Sequence, residues 1–136
     1  MSPQEFDHLV ERAFAKVPGR FRKRLSNLVV VVETEPSRAQ LAEARIPPGG
    51  TLLGLYQGRP LTTRSFFESF SMPDRITIFQ GPHERLARDP AHLRKMIEET
   101  LWHEIAHYFG MDEPGVRHAE RKRRYRLRQA MRDRRG

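Results

Sequence analysis

Phe6, Leu9, Val10, Ala13, Phe14 and Val17 recur at helical spacing and form one apolar stripe near the start of the chain. Ser2, Pro3 and Glu5 precede it as a hydroxyl N-cap, a first-turn proline and the returning glutamate of a capping box, and Pro18-Gly19 closes it. The run LVVVV within Leu25 to Glu33 then breaks the helical period. It is β-branched, short and bounded by polar residues and Pro36, which predicts a strand buried on both faces. Ser37 to Ala44 predicts a short helix, and IPPGG at Ile46 to Gly50 a loop, because Pro and Gly disfavour both regular ladders.

Further on, Leu52 to Gln57 predicts a second strand and Gly58-Arg59-Pro60 a turn. Ser65 to Met72 fits either a short helix or a packed loop. Ile76 to Gln80, ITIFQ, predicts a third strand closed by Gly81-Pro82. Asp89-Pro90 opens the longest helical segment, with Leu93, Ile97, Leu101, Ile105 and Tyr108 on one face and Gly110 as its stop.

These elements share 136 residues, a length that fits one compact unit. Charge divides the chain where periodicity does not. Residues 1–116 carry 15 basic and 15 acidic side chains, whereas Arg117 to Gly136 carries 10 basic and 2 acidic, so the whole net charge of +8 sits in the last twenty positions. The expected organisation is a near-neutral domain over 1–116 and a basic extension over 117–136. No apolar run approaches membrane-spanning length, and the acidic, amphipathic start lacks the pattern of a signal peptide, which makes the cytoplasm the expected location. Cysteine is absent, so a transition metal would have to be held by imidazole, carboxylate and water.

The last predicted helix supplies such groups. His103 and His107 lie four residues apart and therefore project from one side of a helix, with a rise of about 6 Å between them, close enough for both rings to reach one cation. Glu104 is turned aside from that axis and is placed to act as general base and then return the proton to a leaving amine. Gly110 ends the helix and Glu113 follows, completing H-E-x-x-H-x-x-G-x-x-E from His103 to Glu113. Chance alone produces H-E-x-x-H followed by such a glycine in roughly one chain in a thousand of this composition. The pattern points to a metal site.

With LLGLYQGRPLTTRS at Leu52 to Ser65, PDRITIFQGPHERLA at Pro73 to Ala87 and DPAHLRKMIEETLWHEIAHYFGMDE at Asp89 to Glu113, the chain resembles the minimal-zincin family of small bacterial zinc metallopeptidases. The resemblance implies an α+β fold, with a few-stranded mixed sheet packed on an N-terminal helix and a metal-binding helix. It also implies one zinc ion and a peptide or protein substrate. The family's third ligand is an acid, usually aspartate, three residues past the glycine, which maps onto Glu113; this chain has glutamate there and Asp112 one place earlier. Glu113 is the preferred ligand, with Asp112 and His118 as alternatives. Two imidazoles and one carboxylate leave a fourth position for water, which zinc acidifies toward a pKa of about 7.

Zincins align an extended peptide along an edge strand, and Ile76 to Gln80 is the candidate for that strand, against the plainer reading of sheet core. Tyr56 and Tyr108 are candidate oxyanion donors, against a packing role for each. Arg117 to Gly136 has too few apolar residues for a core and predicts a solvated extension, able to dock an acidic partner or nucleic acid. This supports a rival function, a metal-binding or nucleic-acid adaptor that cleaves nothing. It also supports a third, a closed zincin whose tail covers the cleft.

Overall fold

In the computed structural model, which describes residues 1–25, 27–58 and 73–110, the first helix begins where its capping residues predict. The Glu5 N–H donates to Ser2 Oγ at 3.1 Å, and α1 runs Pro3–Ala15 with Phe6, Val10 and Ala13 buried. After Pro18 a single helical turn, α2 (Gly19–Arg22), leads to β1 (Leu28–Glu33). Ser37 and Gln40 form a complete capping box on α3 (Arg38–Glu43). There follow β2 (Gly54–Gln57), β3 (Asp74–Phe79), α4 (Gln80–Leu86) and α5 (Pro90–Tyr108). The protein is a small α+β fold.

Among the described residues the three strands form one mixed sheet in the order β1-β3-β2. β1 and β3 run parallel, with Val30 opposite Ile76, while β2 is antiparallel to β3, with Tyr56 opposite Ile76 and Gly54 opposite Ile78. Side chains alternate across a sheet, so each face has its own core. Ile76 and Ile78, flanked by Leu28, Val30, Val32 and Tyr56, meet α1 and α5 through Phe6, Val10, Ile97, Leu101 and Ile105. On the opposite face, Leu55, Phe79 and Leu52 pack against Leu41, Ala44 and Ile46.

The predicted stripe of α5 is buried in full: Leu93, Ile97, Leu101, Ile105 and Tyr108. Asp89 Oδ1 accepts the His92 N–H at 2.7 Å at its start, and Gly110 leaves it in the left-handed region at φ 79°. Glycine adopts that conformation without the steric penalty of a Cβ.

Three expectations are corrected. β1 is not buried on both faces: among the described residues it is an edge strand, half-buried along most of its length, with Val29 40% exposed. The run LVVVV reflects β propensity rather than central position. The middle belongs to β3, which is hydrogen-bonded on both sides, so Ile76 to Gln80 cannot be the edge that receives a peptide. Gly81 and Pro82 do not close that strand with a turn. They occupy the first turn of α4, where proline is tolerated because its missing N–H has no intrahelical partner. Ser65 to Met72, Arg59-Pro60 of the predicted turn and the basic extension 117–136 lie outside the described residues.

Thr77 is fully buried at the centre of β3, and its Oγ1 has no hydrogen-bond partner. An unsatisfied buried hydroxyl costs about 1–3 kcal/mol, whereas an apolar group of the same shape does not. Thr77→Val should therefore leave stability unchanged or raise it by about 1 kcal/mol in urea denaturation.

Candidate metal centre

Burial of its apolar stripe fixes the rotation of α5 about its axis, and that rotation sets the direction of its polar side chains. His103 and His107 emerge half-buried at the edge of the stripe, with ring centroids 4.8 Å apart and planes inclined by 70°. Their Nε2 atoms are 3.2 Å apart. Two nitrogens each about 2.05 Å from one ion at a tetrahedral angle lie about 3.3 Å apart, so the pair fits two corners of such a site. His103, Glu104 and His107 each offer a ligand atom within 4.8 Å of the others. The donor set of two imidazoles beside a carboxylate suits a divalent transition metal.

Glu104 differs from the histidines in being buried, at 8% exposure. It belongs to the row Thr100, Glu104, Tyr108, four residues apart, which faces β2. Gly54 is what lets β2 come so close. A Cβ there would lie 2.7 Å from Thr100 Cγ2 and 3.3 Å from both Glu104 Cγ and the Thr77 carbonyl oxygen. Two residues along the same strand face, Tyr56 meets Tyr108 edge to face at 6.1 Å.

Behind this row stands His83 of α4, fully buried against Phe6. Its Nδ1 lies 2.7 Å from the Phe79 carbonyl and its Nε2 lies 2.9 Å from Thr100 Oγ1. The consistent tautomer donates Nδ1–H to the carbonyl and accepts the threonine hydroxyl at Nε2. Burial holds the His83 pKa below its ordinary value of 6.5, opposed by the Phe79 and Met96 carbonyls. His83 thus ties the end of β3 and the start of α4 to the turn of α5 that carries Glu104.

The two tyrosines are committed to structure. Tyr56 OH donates to Asp74 Oδ2 at 2.7 Å, and Tyr108 OH donates to the Arg24 carbonyl at 3.2 Å. Their packing role, not the oxyanion role, is the one these bonds support. Glu113, Asp112 and His118 lie outside the described residues. Sequence reasoning did not single out Thr100 or His83, and it noted Gly54 only as the start of the G-L-Y-x-G element in the family resemblance, with no packing role. The available signal was a threonine one turn before Glu104, in line with it along the helix.

A family model described as zincin-like metallopeptidase matches residues 25–123. The chain belongs to that family. The zincin-like chain is also similar in structure to a conserved hypothetical protein from Thermo thermophilus, at a TM-score of 0.54 and 25% identity, over 80% of this chain and 94% of that one. No curated protein matches it. No described helix is long and apolar enough to cross a membrane.

Two predictions follow from the packing around Glu104. Gly54→Ala should destabilise the fold by about 1–3 kcal/mol in urea, because the added methyl forces β2 away from α5. His83 binds a proton less readily folded than unfolded, so its contribution is complete above the unfolded pKa and is lost as pH falls toward the folded one. Thermal melts from pH 7 down to pH 5 should show stability dropping faster in the wild type than in His83→Gln, which keeps a donor and an acceptor but does not titrate.

Proposed function

We propose that the protein is a zinc-dependent peptidase in which His103, His107 and Glu113 hold the metal and Glu104 handles the proton. The carrying observation is the 3.2 Å approach of the two Nε2 atoms beside a buried Glu104, on the helix that the zincin-like family match covers. Asp112 is the alternative third ligand and His118 a weaker one. Zinc, when bound, supplies Lewis acidity toward a carbonyl oxygen and an acidified water.

Glu104 is buried at the mouth of the helix face, where its carboxylate takes a proton from the attacking water and returns it to the leaving amine. Burial of this side chain against Gly54 restricts its rotamers, with a carboxylate oxygen within 4.8 Å of a ring nitrogen of each histidine. β2, an edge strand among the described residues and beside α5, takes the role that β3 cannot: an extended substrate pairing with it runs past Glu104, and main-chain pairing of this kind tolerates many sequences. The substrate class is therefore an extended peptide or an unfolded protein segment.

A second reading rests on the charge of Arg117 to Gly136, 10 basic residues against 2 acidic, which suits docking to an acidic partner or nucleic acid without cleavage. The deciding experiment measures zinc content and cleavage of a peptide library by the wild type, by Glu104→Gln and by a chain ending at Val116. Glu104→Gln should retain zinc and lose turnover by about 10²–10⁴-fold. His103→Ala should lose zinc. Intrinsic hydrolysis that survives truncation supports the peptidase; absence of turnover with zinc bound, together with salt-sensitive nucleic-acid retention that truncation abolishes, supports the adaptor.

A further inference from the structure

Among the described residues the sheet has two edges, β1 and β2. β2 lies against the Thr100, Glu104 and Tyr108 row of α5, whereas β1 lies on the far side of β3, against α1. In a parallel ladder both main-chain groups of a residue point the same way and successive residues alternate. The Asn27 carbonyl accepts from the Asp74 N–H at 3.0 Å, so the odd-numbered residues of β1 turn toward β3 and Leu28, Val30 and Val32 turn outward. Leu28 N–H is already donated to the Leu25 carbonyl at 3.3 Å. Among the described residues no strand pairs with the outward groups of Val30 and Val32.

This edge lacks the devices that keep strands apart. β1 contains no proline, no lysine or arginine, and a charge only at Glu33, its last residue. It is six residues long, with Val29 exposed beside the open groups. Its flanks differ in charge, the first basic and the second balanced between Glu33 and Glu35 on one side and Arg38 and Arg85 on the other. Arg22, Lys23 and Arg24 stand exposed before it, and Glu33 and exposed Glu35 stand at its other end, with Glu35 also paired to Arg85.

We propose that the outer edge of β1 pairs antiparallel with β1 of a second copy of this chain, across a two-fold axis near Val30. Val30 then exchanges both hydrogen bonds with its counterpart, Leu28 faces Val32, and Val29 faces Val31 as a non-hydrogen-bonded pair. Antiparallel pairing sets the basic flank of each copy near Glu33 of the other and keeps the two basic flanks apart, whereas parallel pairing would place them together. An isologous contact of this kind closes after two copies and leaves β2 and the histidine face open. The pairing does not depend on the peptidase reading.

Sedimentation equilibrium of the full chain, with no metal or substrate required, tests it. The expected mass is twice the 16.0 kDa of one chain. Val29→Lys sets an ammonium group into the seam from an exposed position, and Val30→Pro removes an outward N–H, which an edge strand tolerates. Each should weaken association by at least about tenfold with an unchanged far-ultraviolet circular dichroism spectrum. Amide exchange at Val30 and Val32 should be slow in the wild type and should quicken on dilution. A wild type that is monomeric throughout the micromolar range overturns the proposal, including one whose Val30 and Val32 amides are slow because another part of the chain covers them. A dimer indifferent to both substitutions overturns it as well.

Discussion

The rotation of α5 about its own axis governs the arrangement of everything near the histidines. Ile97, Leu101 and Ile105 are almost completely buried against the sheet and α1, and exposing any of them to turn the helix would give up roughly 1.5–3 kcal/mol apiece. That constraint leaves three rows with separate assignments. One row fills the core. Thr100, Glu104 and Tyr108 lie over β2, and His103 and His107 emerge where the buried surface ends. Hydrophobic packing thus sets the side of α5 from which the two candidate ligands emerge.

Much of this arrangement was legible because helical period and capping chemistry are local. Ser2 with Glu5, Ser37 with Gln40, and Asp89 with Pro90 each satisfy backbone N–H groups within their own first turn, and all mark true helix starts. The pairing of His103 with His107 is legible for the same reason. Strand order is different, since neighbours in a sheet are set by contacts distant in sequence. LVVVV and ITIFQ carry similar β propensity, yet β3 took the centre and β1 the edge. Helix α4 was hidden because Gly81 and Pro82 read as breakers, although both are acceptable in a first turn. His83 could not be located from sequence at all. Its significance lies in reaching Thr100, seventeen residues away, and no periodicity links the two.

The close contact between β2 and α5 shows how backbone chemistry and site chemistry meet. A strand normally stands off a helix by the thickness of its side chains, and Gly54 removes that thickness at the turn carrying Glu104. Glycine weakens a strand through entropy and lost packing, so its presence in a strand of four residues runs against local stability. The compensation is proximity: the main chain of β2 lies directly beside Thr100 and Glu104. β1 carries no such glycine and no polar side chain before Glu33, so the two edges of one small sheet differ in both chemistry and exposure.

A buried carboxylate is costly unless its surroundings favour the charged form or hold it for a reaction. Glu104 sits at the junction of three supports: the core row that orients α5, the Gly54 contact that closes β2 over it, and the Thr100 hydroxyl that His83 anchors one turn earlier. Each support restricts a different motion, respectively helix rotation, strand separation and sliding of the helix along the end of β3. A glutamate serving only solubility would require none of them, since an exposed position on α5 would suffice. These restraints converge on one side chain beside two imidazoles whose spacing suits a shared cation, so the packing that orders the core also orders the candidate metal group.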